Sequence, residues 1–240
     1  MKNTIKNFKR ILVAILLLIL ICPAVPVEAK ANSKSSVKTV VIDPSCQKTA
    51  NTKKEAIGPG DFNTTEQSPP GEVGTSTEYT EYEMNLQIAL KLQTILKDQG
   101  YNVLLTRTDN DVDISNSGRA MIANTADADI FVVINASEDA GIEITCQSKD
   151  NPYNYGNYEN ARLLSDALLG SVLQSTQSNN GDVVESDEKA AINWCAVPTS
   201  IVSVGALTDL SDEEKLVTNQ YQQLIAQGIA NGIDSYFTQK

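Results

Sequence analysis

The sequence contains no histidine among its 240 residues. Imidazole is the commonest metal ligand in proteins and the usual general base near neutral pH. Serine–histidine–aspartate triads and histidine-liganded zinc sites are therefore excluded. Aromatic residues are also few, at 5%, while 41% of the residues are hydrophobic and 20% are charged. These fractions are ordinary for a globular protein, and they exclude a disordered, collagen-like or polytopic membrane protein.

Long apolar runs are confined to the N-terminus. Four basic residues within residues 1–10 precede an uncharged stretch, residues 11–27, that contains ILVAILLLILI. A basic segment, an apolar segment and small residues before a cleavage point are typical of a secretory signal peptide. We predict a signal peptide over residues 1–29, cleaved after Ala29, and a flexible leader over residues 30–36. A lipoprotein modified at Cys22 and an uncleaved anchor are the alternatives.

The predicted mature chain has little positive charge. Cleavage after Ala29 would leave 15 basic and 29 acidic side chains, a net charge of −14. Nucleic acids and anionic membranes both require a basic face, so we expect no nucleic-acid partner and no integral membrane role after cleavage. Three cysteines remain, Cys46, Cys146 and Cys195, and an oxidising compartment permits one disulfide among them.

Strand and helix signals alternate through residues 37–240. Apolar and β-branched runs predict strands at Val37–Ile42, Asn102–Thr106, Ile130–Ile134, Ile142–Cys146 and Ser200–Val204. Amphipathic or capped stretches predict helices at Glu83–Gln99, Ser115–Asn124, Tyr158–Ser175 and after a capping box at Ser211–Glu214. Residues 45–78 lack apolar periodicity and are predicted to form a long loop. The alternation predicts one α/β domain whose sheet contains parallel strand pairs.

Six segments lie in the order and spacing of one enzyme family. They are Val40–Pro44, Glu81–Leu86, Gly100–Arg107, Ser117–Asn124, Ala128–Phe131 and Pro198–Gly205. Through them the chain, from about Val37 to Phe237, resembles the zinc-dependent N-acetylmuramoyl-L-alanine amidases, which cleave an amide bond in peptidoglycan. Residues 47–55 and 193–195 are similar to a clostridial branch. The resemblance implies a twisted, mostly parallel sheet with helices on both faces, in an exported cell-wall protein of a Gram-positive bacterium.

The resemblance also implies where the catalytic residues would lie. The family holds zinc with two histidines and one glutamate, and a second glutamate acts as the general base. At the matching positions this chain has Cys46, Glu81 and Asn135 for the ligands and Ser203 for the base. Without the metal, the pKa of the attacking water returns from about 7 to about 15.7. Loss of the general base lowers the rate of hydrolysis by a further factor of roughly 10²–10⁴. We therefore expect no zinc and no hydrolysis.

Two further groups of side chains are candidates for a role. Cys146 and Cys195 of this chain would lie on or beside strands that flank the site in the family's architecture. The resemblance therefore predicts a disulfide between them, and two buried free thiols are the alternative. Tyrosine side chains on loops are suited to contacts with carbohydrate or peptide. The alternative is that they only pack against the rest of the protein. The candidate rings are Tyr79, Tyr82, Tyr153 and Tyr155.

The sequence thus predicts a secreted, wall-associated amidase homologue without catalytic activity, which binds peptidoglycan or a cell-wall or amidase-related protein. One alternative is an active peptidoglycan hydrolase with a rearranged site that recruits Cys46, Glu81 and either Asp43 or Asp61. The other is a purely structural component of the surface or the spore coat.

Overall fold

The computed structural model describes residues 37–153 and 156–240. The predicted signal peptide, its cleavage site, the leader and Tyr155 lie outside these residues. The described strands are β1 (Thr39–Pro44), β2 (Asn51–Ala56), β3 (Thr64–Ser68), β4 (Asn102–Leu105), β5 (Ile130–Asn135), β6 (Ile142–Cys146), β7 (Gly181–Glu185) and β8 (Thr199–Ser203). The described helices are α1 (Glu81–Asp98), α2 (Asn116–Thr125), α3 (Tyr158–Thr176), α4 (Ala190–Asn193), α5 (Leu210–Leu216) and α6 (Asn219–Gln239). None of these helices is long and apolar enough to cross a membrane.

The central sheet has six strands in the order β4-β1-β5-β8-β6-β7. Every neighbouring pair is parallel except β6 with β8, which is antiparallel. The predicted mostly parallel sheet is therefore confirmed. Its central strands are apolar on both faces because helices cover both sides.

Helices pack on both faces of the sheet, as expected. One face carries α1, α3 and α6, whose apolar side chains pack against Val40, Ile42 and Val132 of the sheet. The opposite face carries α2 and α4, which pack against Val41, Phe131 and Ile201. The last helix, α6, contributes one apolar stripe to this core: three of its residues are fully buried and two are packed beside them, namely Ile225, Ile229, Ile233, Tyr221 and Phe237.

The sequence interpretation missed three local features. The predicted loop of residues 45–78 contains an antiparallel hairpin, β2 and β3. Its polar strands lack an apolar face, and contacts with the rest of the fold hold it, including a 2.9 Å hydrogen bond from the indole N–H of Trp194 to the carbonyl of Ala56. Strand β7 is a largely exposed edge strand. The last helices are capped by Asp209 and Thr218 instead of the predicted Ser211.

The predicted disulfide between Cys146 and Cys195 is not formed. Both residues are buried free cysteines. Cys146 ends β6 on the face that carries α3, where its thiol is hydrogen bonded to Ser165. Cys195 belongs to the core on the opposite face, beside α4. The sheet therefore separates the two thiols, and the alternative of two buried free thiols describes them.

Candidate functional site

A cleft of about 600 Å³ opens at the carboxyl ends of the central parallel strands. Its walls include the residues at the ends of three parallel strands: Ser45 and Cys46 after β1, Asn135 at the end of β5, and Ser203 at the end of β8. The carboxyl ends of parallel strands meet at one edge, where α/β proteins bind their ligands. The start of α1 contributes Glu81. The structure thus brings together all four residues that the sequence matched to the family's zinc site.

Two buried arginines fix the loop after β1. The guanidinium of Arg119 pairs with the Asp43 carboxylate at 2.7 Å and donates to the carbonyls of Pro44 at 3.2 Å and Cys46 at 3.1 Å. Arg107 donates to the carbonyls of Pro44 at 2.8 Å and Ser45 at 3.2 Å. Burial, and secondly the charge of Arg119, lower the pKa of Arg107 to about 10, so it remains charged at neutral pH. These bonds hold Cys46 in a left-handed conformation, with φ of 62°.

Glu81 is a buried carboxylate with internal partners on both oxygens. Oε1 accepts the backbone N–H of Ala136 at 2.9 Å and the side-chain amide of Asn85 at 3.3 Å. Oε2 accepts the backbone N–H of Glu72 at 2.8 Å. Only 5% of Glu81 is exposed. A buried charge requires such partners, and these donors satisfy Glu81 from two sides of the cleft.

Cys46 lies beside Glu81 as a protonated thiol. Burial, followed by the negative charge of Glu81, raises the pKa of Cys46 to about 12. The thiol also donates a hydrogen bond to Glu81, which further favours the protonated form. At pH 7 about one thiol in 10⁵ is ionised at such a pKa, and only the thiolate is a good nucleophile or metal ligand.

Asn135 and Ser203 form a neutral pair across neighbouring strands. Their positions are opposite one another in the parallel ladder of β5 and β8. The hydroxyl of Ser203 donates to Oδ1 of Asn135 at 2.9 Å. Ser203 is 4% exposed. Neither side chain carries a charge or titrates near neutral pH, so the pair offers no general base.

The cleft also contains acidic residues that the sequence interpretation missed. Besides Glu81, its lining includes Glu72, Glu138, Asp139, Glu143 and Asp182, with Lys189 as the basic side chain in the same wall. Burial raises the pKa of Glu72, whose carboxylate accepts the N–H of Leu207 at 3.1 Å. The acidic loop directly after the apolar strand β5 was a signal that could have identified Glu138 and Asp139.

The other candidates lie outside the cleft lining. Tyr79 packs against the core and its hydroxyl accepts a hydrogen bond from Gln222. Tyr153 packs on Gly58 of the hairpin and donates to Asp61, which lowers the pKa of Asp61. Tyr82 uses its carbonyl to accept from Arg107. The two aspartates considered for the alternative hydrolase form other interactions. Asp61 is hydrogen bonded to Tyr153 and to the turn of the hairpin, and Asp43 forms an ion pair with Arg119.

The residues present do not fit a zinc ion. Zinc at Glu81 would displace the N–H donors of Glu72 and Ala136 from a carboxylate that they already satisfy. The Cys46 thiol is already hydrogen bonded to Glu81, and the amide oxygen of Asn135 is a weak ligand for zinc. Within the part of the chain that the structure describes, no three His, Cys, Asp or Glu side chains are grouped so as to hold a metal ion.

Comparison with known proteins agrees with the fold and the order of the motifs. The chain is 31% identical over 161 residues to an uncharacterized protein, YqiI, of Bacillus subtilis, covering 66% of this chain and 75% of that protein. It is 29% identical over 180 residues to the sporulation-specific N-acetylmuramoyl-L-alanine amidase of the same organism, covering 72% of this chain and 65% of the relative.

The fold is also similar to a solved amidase structure. It matches the N-acetylmuramoyl-L-alanine amidase from Clostridium difficile 630 with a TM-score of 0.69 and 27% identity, over 86% of this chain and 100% of that chain. The model of the N-acetylmuramoyl-L-alanine amidase family matches residues 40–235. This match includes the central sheet except Thr39, and every residue that lines the cleft, and the chain therefore belongs to the N-acetylmuramoyl-L-alanine amidase family of cell-wall hydrolases.

Proposed function

We propose that this chain is an exported, wall-associated member of the amidase family that binds peptidoglycan in its cleft and does not hydrolyse it. One observation carries the proposal: every side chain at the matched ligand and base positions is either neutral or saturated by internal hydrogen bonds. Glu81 accepts backbone N–H groups on both oxygens, Cys46 is a protonated thiol, and Asn135 pairs with Ser203.

Amide hydrolysis needs an activated water and a group that takes its proton. The side chains at the other three matched positions, Cys46, Asn135 and Ser203, supply neither function. The serine hydroxyl donates to a neutral amide, and the thiol is protonated at neutral pH. A nucleophilic Cys46 would need a neighbouring base or cation, and the charge that acts on it most strongly is the carboxylate of Glu81, which disfavours the thiolate.

Binding remains available because the cleft itself is open. Its volume of about 600 Å³ lies within the range of ordinary ligand sites. The cleft is at the same edge of the sheet at which α/β proteins bind ligands, and the family acts on peptidoglycan. The ligand is therefore a segment of peptidoglycan, and the chain holds it without a chemical step.

The test measures cleavage and binding on the same wall material. The secreted form, starting at residue 30, is incubated with purified peptidoglycan with and without zinc, and new L-alanine amino termini are counted. We expect no release and co-sedimentation with the wall. A bulky Asp182→Trp change in the cleft should reduce the bound fraction at least fivefold, whereas Asp98→Trp on α1, away from the cleft, should leave it unchanged.

Two results would overturn this proposal. Zinc-dependent release that is lost in Glu81→Ala would identify an active hydrolase with unusual ligands. Failure to sediment with the wall, in a folded protein, would exclude peptidoglycan as the ligand and direct the search to a protein partner.

A further inference from the structure

Residues 69–74, here called the strap, run antiparallel to the start of α1. Val73 forms a β-bridge with Thr80. The N–H of Glu81 donates to the carbonyl of Glu72 at 2.9 Å, and the N–H of Gly74 donates to the carbonyl of Tyr79 at 2.8 Å. The strap is therefore a regular, hydrogen-bonded part of the fold, and it forms one wall of the cleft.

The strap lies directly against two of the matched ligand positions. A Cβ atom added to Gly71 would be 3.1 Å from Oε2 of Glu81 and 3.3 Å from Sγ of Cys46. The next residue, Glu72, donates its backbone N–H to Oε2 of Glu81 at 2.8 Å. Glu72 and Glu81 are thus joined twice, once through N–H to carboxylate and once through N–H to carbonyl.

These contacts supply the positive partial charge that the buried Glu81 carboxylate requires. A charge removed from water is tolerated only when it is paired or accepts strong hydrogen bonds. In this chain the donors are peptide N–H groups from the strap and from Ala136 after β5. The carboxylate consequently ties the strap to the end of the central sheet.

A second carboxylate anchors the loop that follows the strap. Glu213 of α5 accepts the N–H groups of Ser76 at 3.0 Å and Thr77 at 2.7 Å, and also the hydroxyl of Thr77 at 2.7 Å. A Cβ atom on Gly74 would clash with Oε1 of Glu213 and lie 2.8 Å from Oγ1 of Thr77, so a side chain there would displace the carboxylate from its donors. Glu81 and Glu213 therefore hold both ends of this wall.

We propose that the strap is a built-in plug, in which the Glu72 N–H occupies the coordination place that a cation would take at Glu81 and covers the Cys46 thiol. Glu81 is then a positioning residue that fixes the wall of the cleft. The inference rests on the proposed function and deepens it, since it names the donors that satisfy Glu81 at a matched ligand position, but its test needs neither peptidoglycan nor hydrolysis.

The test compares two variants that differ in one donor. Glu72→Pro removes the backbone N–H, whereas Glu72→Ala keeps it; both lose the carboxylate that accepts from Leu207. The native proteins are treated with N-ethylmaleimide, and each cysteine is followed by peptide mass spectrometry. We expect Cys46 to react at least tenfold faster in Glu72→Pro than in Glu72→Ala. Cys146 and Cys195, buried in the two cores, serve as internal controls for global unfolding.

A second measurement on the unmodified strap covers the case in which the proline variant does not fold. Amide hydrogen exchange at Glu72 should be at least tenfold slower in the wild type than in Glu81→Leu, because the leucine side chain has no acceptor for that N–H. Equal labelling of Cys46 in the two Glu72 variants, or an unprotected Glu72 amide in the wild type, would refute the plug. A metal-dependent hydrolase would contradict the proposed function through release of L-alanine termini instead, so the two failures are distinguishable.

Discussion

Replacing Arg119 with methionine tests how the site loop is held. Arg119 is 1% exposed and its guanidinium contacts the Asp43 carboxylate at 2.7 Å, while Asp43 itself is also 1% exposed. Methionine fills much of the volume but leaves a buried carboxylate that keeps a side-chain hydrogen bond from the hydroxyl of Thr106. Removing one partner of a buried ion pair costs about 3–5 kcal/mol.

The loss is large relative to the stability of the whole protein. Domains are stable by about 5–15 kcal/mol, and a domain of this size loses about 2–4 °C in melting temperature per kcal/mol. We therefore expect Arg119→Met to lower the melting temperature by about 6–20 °C. The free energy of unfolding, measured by urea titration with circular dichroism, should fall by about 3–5 kcal/mol.

Two further variants make the measurement specific. Arg162 is a matched control, because it forms ion pairs with Asp166 and Glu185 while its side chain is 39% exposed. Arg162→Met should cost at most about 1 kcal/mol. Adding Asp43→Asn to Arg119→Met should recover at least about 1 kcal/mol, since the stranded charge is then gone. A loss below about 1.5 kcal/mol in Arg119→Met, or no recovery in the double variant, would refute the argument.

Two other predictions concern the Glu213 carboxylate and the four positions matched to the family's zinc site. The hydroxyl of Thr77 and neighbouring N–H groups lower the pKa of Glu213 below its ordinary 4.5, so its contribution to stability is complete above that pH and is lost as the pH falls through the lower folded value. Glu213→Gln should flatten the dependence of melting temperature on pH between 3 and 6, and an unchanged slope would contradict this. The triple change Cys46→His, Asn135→His and Ser203→Glu should bind one zinc ion in calorimetry, about tenfold more tightly when the strap donor is also removed. A folded triple variant that binds none would refute the matching of these positions to the family.

The fold was predictable where apolar runs determine it. The residues of β1 and β5 are apolar and β-branched, and a sheet covered on both faces requires such strands. The hairpin of β2 and β3 and the edge strand β7 gave no comparable signal. Their residues are polar and partly exposed, and their pairing depends on contacts with distant residues such as Trp194.

The sequence predicted which side chains line the candidate site, but not the backbone hydrogen bonds that shape it. The order of the motifs placed Cys46, Glu81, Asn135 and Ser203 at strand and helix ends, and the structure brings them to one cleft. The strap could not be predicted, because its interaction with Glu81 is made by a backbone N–H nine residues earlier in the chain. Any residue except proline supplies a backbone N–H, so no residue type in the sequence indicates this hydrogen bond.

The backbone of the loop after β1 is held independently of the side chains that this loop presents to the cleft. Arg107 and Arg119 hold the loop after β1 by donating to the carbonyls of Pro44, Ser45 and Cys46, and neither arginine lines the cleft. A backbone carbonyl accepts the same hydrogen bond whatever side chain its residue carries. A substitution at position 46 therefore changes the side chain that the cleft presents and leaves the arginine bonds to the backbone in place, so the shape of this loop and the chemistry of the cleft depend on different atoms.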